Sequence, residues 1–276
     1  MDRANIVHQN FLDRVSAEDF PDGKAPTGPL TSQQAITIFR TGCLTRALDR
    51  KSREMQAQGQ GFYTIGSSGH EGIAAIAAAL RLGDMAFLHY RDAAFQIQRS
   101  EMVPGQSITW DMLLSFACAK EDPISGGRHK VLGSKKLNIP PQTSTIASHL
   151  PKAVGAAYSI GLTKKVAPEH QCLKDDAIVI CSFGDASVNH STAQGAFNTA
   201  QWTSYQGIPL PLLFVCEDNG IGIPKEIIDK IYEPYVTSKK TGPGATVSAI
   251  ANTKLVLAFP PYPTTRSFVV EAVPSN

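Results

Sequence analysis

Two polar clusters, each closing an apolar run, carry the clearest chemistry in this sequence. Ala177-Ile178-Val179-Ile180-Cys181-Ser182-Phe183 ends on Gly184-Asp185, and Pro211-Leu212-Leu213-Phe214-Val215-Cys216 ends on Glu217-Asp218-Asn219-Gly220. A carboxylate and an amide oxygen held side by side suit a hard cation such as Mg2+, which takes oxygen ligands octahedrally and completes its shell with a phosphate-bearing ligand. The glycines would let the backbone approach a diphosphate closely. Each piece also has a plain structural reading, because Gly-Asp after a strand is a common turn and Asp-Asn-Gly is a strong turn sequence. Asp185 and Asn219 therefore matter as a pair or not at all.

Four histidines, His70, His129, His149 and His190, fall in loops or at helix starts around these clusters. His129 is the candidate catalytic residue, since Gly126-Gly127-Arg128-His129-Lys130 is a glycine- and basic-rich loop that could meet an acidic substrate. For the other three a satisfied structural histidine is the simpler reading. Cys181 and Cys216 lie within the apolar runs and belong to the core.

These residues need elements to hold them. The two apolar runs read as strands buried on both faces, hence inside a parallel sheet. Between them, Ser191 to Gln201 reads as a helix, so the unit is a right-handed strand–helix–strand crossover. Open α/β sheets bind ligands outside the carboxyl ends of their strands, which is where Asp185 and Asn219 would meet. Upstream, Thr31-Ser32-Gln33-Gln34 offers a helix N-cap followed by apolar positions at helical spacing, predicting a helix to about Gln58. His70 to Leu80 predicts a small-residue helix, Phe87 to Asp92 a strand or turn, and the stretch around Ala153 to Ala157 another helix. Residues 1–30, proline-punctuated from Pro21 to Pro29, read as an extended arm.

Composition excludes several classes. The 26 basic against 24 acidic side chains leave a net charge of +2, which argues against a nucleic-acid or other polyanion surface. Apolar runs fall well short of the roughly 18 to 20 residues that span a bilayer, so no membrane partner is expected. The mixed-charge start, MDRANIVHQNFLDRV, fits neither a signal core nor an acid-poor presequence, and a cytoplasmic location is the expectation. Five cysteines without a C-x-x-C pair suggest neither disulfides nor a zinc site and are expected to be reduced and mostly buried.

Taken in order, Gly184-Asp185-Ala186-Ser187, Phe197-Asn198-Thr199-Ala200 and Glu217-Asp218-Asn219-Gly220 resemble the thiamine diphosphate motif. The likeness is to the decarboxylating first component of 2-oxo acid dehydrogenases, in its alpha-type half. It extends through Gly66-Ser67-Ser68-Gly69-His70-Glu71-Gly72, His89-Tyr90-Arg91 and Ile146-Ala147-Ser148-His149, covering about residues 31–223. The resemblance implies an α/β fold with a parallel sheet flanked by helices, left incomplete at its C-terminus, and Mg2+ and thiamine diphosphate as cofactors. It implies Asp185, Asn219 and the carbonyl of Ile221 as metal ligands. Gly184, Ala186 and Ser187 would bring backbone amides to the diphosphate at the start of the following helix, with Tyr90 and Arg91 beside them. Ser144 and Ile146 would line the aminopyrimidine, while Ser144, Ser148 and His149 match a monovalent-cation loop. Two positions depart from the motif: Ala186 replaces its third glycine and Asp218 its first asparagine, the latter adding negative charge.

The implied partners are a 2-oxo acid substrate, with pyruvate and branched-chain acids equally open, a lipoyl-bearing acyltransferase, and a beta-type pyrimidine-binding subunit or domain. That last partner would supply the carboxylate that activates the cofactor, so an oligomer is expected and the chain alone should be inactive. Residues 224–276 depart from this pattern. Asp218-Asn219-Gly220-Ile221-Gly222-Ile223, then Tyr232-Glu233-Pro234 through Thr237-Ser238-Lys239, resemble the nucleotide-binding boxes of sensor histidine kinases. Thr241-Gly242-Pro243-Gly244-Ala245 departs from the kinase glycine motif, so the alternative is an inactive or ATP-binding chimera.

Overall fold

The computed structural model describes residues 3–19, 30–61, 65–128, 131–143, 145–217 and 255–259. Helix α1 (Arg3–Ser16) is followed by the long α2 (Ser32–Ala57), whose start is fixed by a capping box. There Gln34 N–H donates to Thr31 Oγ1 and Thr31 N–H donates to Gln34 Oε1. Two helix-end donors are satisfied reciprocally, which is why the sequence start point is accurate. Residues 3–16, expected to be extended, are instead helical. Their own spacing, with Phe11, Leu12 and Val15 on neighbouring turns, outweighs the proline run that begins only at Pro21. A 2.6 Å contact between Arg50 Nη1 and His8 Nε2 ties this helix to α2.

The sheet runs β1 (Met85–Phe87), β2 (Val179–Gly184), β3 (Leu212–Glu217) and β4 (Leu255–Phe259) in that spatial order. The first three strands are parallel, as expected, and β4 adds an antiparallel edge. Every residue of β2 is buried. Helix α7 (Ser191–Tyr205) makes the crossover from β2 to β3, while α6 (His149–Val166) packs beside it. Alternate strand residues point to opposite faces, and they feed two separate cores. Val179, Cys181, Phe183 and Phe214 join Leu150, Ala153, Ala193 and Ala196 on one side. Ile180 and Val215 join Leu48, Ile73, Ala77, Phe95 and Met112 on the other, from α2, α3 (Ile73–Ala79), α4 (Ala93–Ser100) and α5 (Ile108–Phe116). The result is a helix–sheet–helix sandwich with its parallel strand ends facing one rim. On the first side Phe183, Phe197 and Phe214 pack together with centroids 5.0 to 6.0 Å apart, Phe214 edge-on to the other two.

None of the five cysteines is in a disulfide, and Cys181 and Cys216 are buried as expected, but Cys43 and Cys172 are exposed. Among the described residues no helix is long and apolar enough to cross a membrane.

Gly127 has φ +74°, and a Cβ there would lie 2.3 Å from the Cys118 carbonyl oxygen. Gly127→Ala should therefore cost about 2–4 kcal/mol, combining a strained backbone with overpacking. The shift of the urea midpoint at unchanged slope measures it.

Candidate functional site

The β2–β3 register sets Gly184 directly opposite Glu217, so the two polar clusters emerge side by side from adjacent parallel strands. Asp185 is half-buried at the end of β2, Ala186 is exposed and Ser187 is buried. Asp185–Ser187 forms a single 3-10 turn, and α7 begins only at Ser191, where His190 Nδ1 accepts from Thr192 N–H at 3.2 Å. The expectation that these amides open the next helix is thus corrected: a turn intervenes, and His190 is that helix's cap. Asn219, Ile221 and Asp218 lie outside the described residues, as do Ser144, His129 and the stretches 218–254 and 260–276 that carry the kinase-like boxes.

Beyond β1 the chain turns through His89, Tyr90 and Arg91 beside the same rim. Tyr90 and Arg91 are half-buried, and Arg91 Nη1 donates to the Gly66 carbonyl at 2.6 Å. The Arg91 guanidinium lies over the Tyr90 ring, 5.2 Å from its centroid, and that ring packs on His89 at 4.0 Å. The structure therefore brings Gly184, Asp185 and the Tyr90–Arg91 pair to one edge of the sheet. Gly184 is needed there on packing grounds as well, since a Cβ would stand 3.3 Å from His89 Nε2.

The Gly66–Gly72 loop is held from α2. Asp49 Oδ2 accepts from Ser67 N–H at 2.7 Å and Ser68 Oγ–H at 3.1 Å, while Arg46 pairs with Glu71. Ile146 is half-exposed, next to Ala147, whose φ of +63° places a non-glycine residue in the left-handed region. Ser148 Oγ donates to the Thr145 carbonyl, and His149 Nε2 donates to the Ser182 carbonyl at 2.7 Å. His149 thus clips the start of α6 to β2, a satisfied structural histidine as the simpler reading expects.

The largest surprise lies beneath Gly184. His70, His89, Asp92 and Glu217 converge there, all 4% exposed or less. His70 Nδ1–H donates to Glu217 Oε2 at 2.7 Å, and Asp92 Oδ2 accepts from the Ser182 hydroxyl and from His89 N–H at 3.2 Å. Burial, with His70 beside it, pushes the His89 imidazole down to about 3 despite the opposing pull of Glu217. His149 is lowered too, chiefly by burial, with its bond to Ser182 opposing. Sequence reasoning did not assemble this cluster. Its only signal was adjacency, since His89 and Asp92 flank Tyr90-Arg91 and Glu217 precedes Asp218.

Comparison with known proteins decides the family. Residues 39–249 match the dehydrogenase E1 component family. The chain belongs to that family. Members of the E1 component family depend on thiamine diphosphate. The chain is 28% identical over 213 residues to "2-oxoisovalerate dehydrogenase subunit alpha 2, mitochondrial" of Arabidopsis thaliana, covering 76% of this chain and 40% of that protein. It is 25% identical over 224 residues to the mitochondrial 2-oxoisovalerate dehydrogenase subunit alpha of Mus musculus, covering 80% and 45%. The Bacillus subtilis 2-oxoisovalerate dehydrogenase subunit alpha is 27% identical over 228 residues, covering 79% and 62%. This E1 chain therefore aligns with between 40% and 62% of the length of these curated relatives.

Proposed function

We propose that the chain is the alpha-type half of a thiamine diphosphate-dependent 2-oxo acid dehydrogenase, working with Mg2+ and a beta-type partner to decarboxylate a 2-oxo acid and pass the acyl group to lipoamide. The observation that carries this reading is the parallel β2–β3 pair, which ends with Gly184-Asp185 on one strand and runs into Asp218-Asn219-Gly220 on the next. The names of the relatives favour a branched-chain 2-oxo acid over pyruvate.

The described donors fit a magnesium diphosphate. Asp185 is a half-buried carboxylate, reachable by an ion, and oxygen ligands are what Mg2+ selects. Arg91 offers a guanidinium fork suited to phosphate, fixed by Gly66 and Tyr90. Glu217 would oppose a diphosphate, but its carboxylate is turned inward to His70. Asp185 and Asn219, with the Ile221 carbonyl, would hold the metal, and the amides of Gly184, Ala186 and Ser187 with Tyr90 and Arg91 would hold the diphosphate. When bound, the cofactor supplies the electron sink that decarboxylation requires. The chain's own residues orient that group and leave one face for the partner's activating carboxylate. Ser144 and Ile146 would flank the aminopyrimidine, and His129 would meet the substrate.

Calorimetric titration separates this reading from its alternative. Thiamine diphosphate with Mg2+ should bind, and Asp185→Ala should weaken binding by at least about 100-fold, roughly 2.7 kcal/mol. Binding of ATP with Mg2+ alone would sink the proposal in favour of the kinase-like reading. The isolated chain should show no 2-oxo acid decarboxylation, and robust turnover without a partner would mean that the activating carboxylate lies within it.

A further inference from the structure

The buried cluster beneath Gly184 draws on four separate places in the chain: His70 before α3, His89 and Asp92 after β1, and Glu217 at the end of β3. One donor atom from each lies within 4.8 Å of all the others. His70 Nδ1 stands 2.7 Å from Glu217 Oε2 and 3.9 Å from Asp92 Oδ1. Around a tetrahedral ion with bonds of about 2.0 Å, ligand atoms are roughly 3.3 Å apart. The observed separations fall on both sides of that value, so small side-chain rotations suffice to enclose an ion. We propose that His70, His89, Asp92 and Glu217 form a buried site for a divalent transition-metal ion such as Zn2+, distinct from the magnesium site at Asp185.

Three further features support the assignment. His89 Nδ1 has no hydrogen-bond partner although the residue is only 4% exposed, and a neutral imidazole nitrogen in that state is a ready ligand. The outer layer is already built, because the Ser182 hydroxyl and His89 N–H hold Asp92 Oδ2 while Oδ1 faces His70. Charge also balances: two ionised carboxylates and two neutral imidazoles carry −2, which a divalent cation cancels in a place where uncompensated charge is expensive. The ion takes the position of the proton that His70 Nδ1 donates to Glu217 Oε2, and that proton moves to Nε2, so His70 ligates through Nδ1 as the neutral tautomer and the charge balance is kept. Mixed nitrogen and oxygen donors select transition metals, whereas Mg2+ prefers oxygen and water.

The site is independent of the cofactor reading, since it uses none of the residues assigned to the diphosphate. Its consequence for them is mechanical. His89 Nε2 abuts the position of a Gly184 Cβ, so a loaded centre stiffens the turn that carries Asp185.

The test is to purify the full chain from cultures supplied with Zn2+ or Co2+, dialyse it, and measure bound metal by mass spectrometry. One ion per chain is expected, with the visible bands of low-coordinate Co2+ and a zinc absorption edge fitted by two imidazoles, oxygen and no sulfur. His70→Gln and His89→Gln should each lower affinity by more than about tenfold, the scale already lost with an outer-layer partner. Asp185→Ala should retain the ion while losing thiamine diphosphate. Wild-type protein that keeps no metal, or a shell without imidazole, overturns the proposal, and so does undiminished binding in both histidine variants. The edge measurement uses wild-type chain alone, so it decides the matter even where a variant fails to fold. Failure to bind thiamine diphosphate would leave these metal readings unchanged and count only against the proposed function.

Discussion

Metal-free chain carrying Glu217→Ala is expected to be about 2–3 kcal/mol less stable than the wild type, the usual consequence of removing a buried hydrogen bond to a charged group and leaving its donor unsatisfied. Glu217 is 2% exposed, and its Oε2 accepts the His70 Nδ1 proton at 2.7 Å. Truncation opens a cavity at the end of β3 and leaves His70 with a buried donor and no acceptor. Glu217→Gln keeps the volume and an acceptor oxygen, so it should lose less than half as much. His70→Ala should cost a similar amount to Glu217→Ala, and the double variant should be far less damaged than the sum, with a coupling energy of about 1 kcal/mol or more. Urea unfolding of the four proteins completes the cycle. Additive losses would mean that the contact contributes nothing of its own.

Acid should unfold the metal-free chain earlier than its carboxylates alone require. His89 is lowered from 6.5 to about 3, and His149 is also lowered. Around His89 the facing groups are His70, Glu217, His149 and Arg91; around His149 they are the Ser182 carbonyl and Lys152. In the unfolded chain both imidazoles take up a proton near 6.5, whereas in the folded chain they resist it. The unfolded state therefore binds more protons below that pH, and stability falls as pH falls. The contribution is intact above about 6.5 and is lost progressively on acidification, down to about 3 for His89. Each group adds a slope of up to about 1.4 kcal/mol per pH unit, so the pair gives up to about 2.7 where both act. Unfolding free energies measured from pH 7 to 4 should show this slope, and His89→Gln should remove about half of it. A flat profile across that range would contradict the burial argument.

What could be read from the sequence depended on how local its cause is. The α2 cap at Thr31 and Gln34, the apolar strands ending at Gly184 and Glu217, and the crossover helix between them are each set by neighbours within a few residues. The position of Asp185 at a strand end followed from the same pattern. The helical arm at residues 3–16 was obscured because proline and glycine at 21–29 coloured the reading of the whole segment. His70 and Glu217 could not be paired from sequence, since 147 positions separate them and only the sheet register and the Asp49-held loop bring them together. The partner of His149 was not legible either, because the orientation of α6 against β2 is a packing outcome. Its ring bonds a main-chain carbonyl that carries no side-chain signature.

The strand order also dictates a sequence of events in time. Val179 of β2 pairs with Leu212 of β3 across 212 − 179 = 33 positions, but with Met85 of β1 across 179 − 85 = 94. Closing the longer loop costs about 0.9 kcal/mol more in chain entropy, from (3/2)RT ln(94/33). Distant pairings form late because their ordering must precede their reward. We expect the β2–α7–β3 unit to assemble first and β1, with Tyr90 and Arg91 behind it, to dock afterwards. The rim that carries Asp185 would then exist, briefly, before Arg91 has arrived beside it.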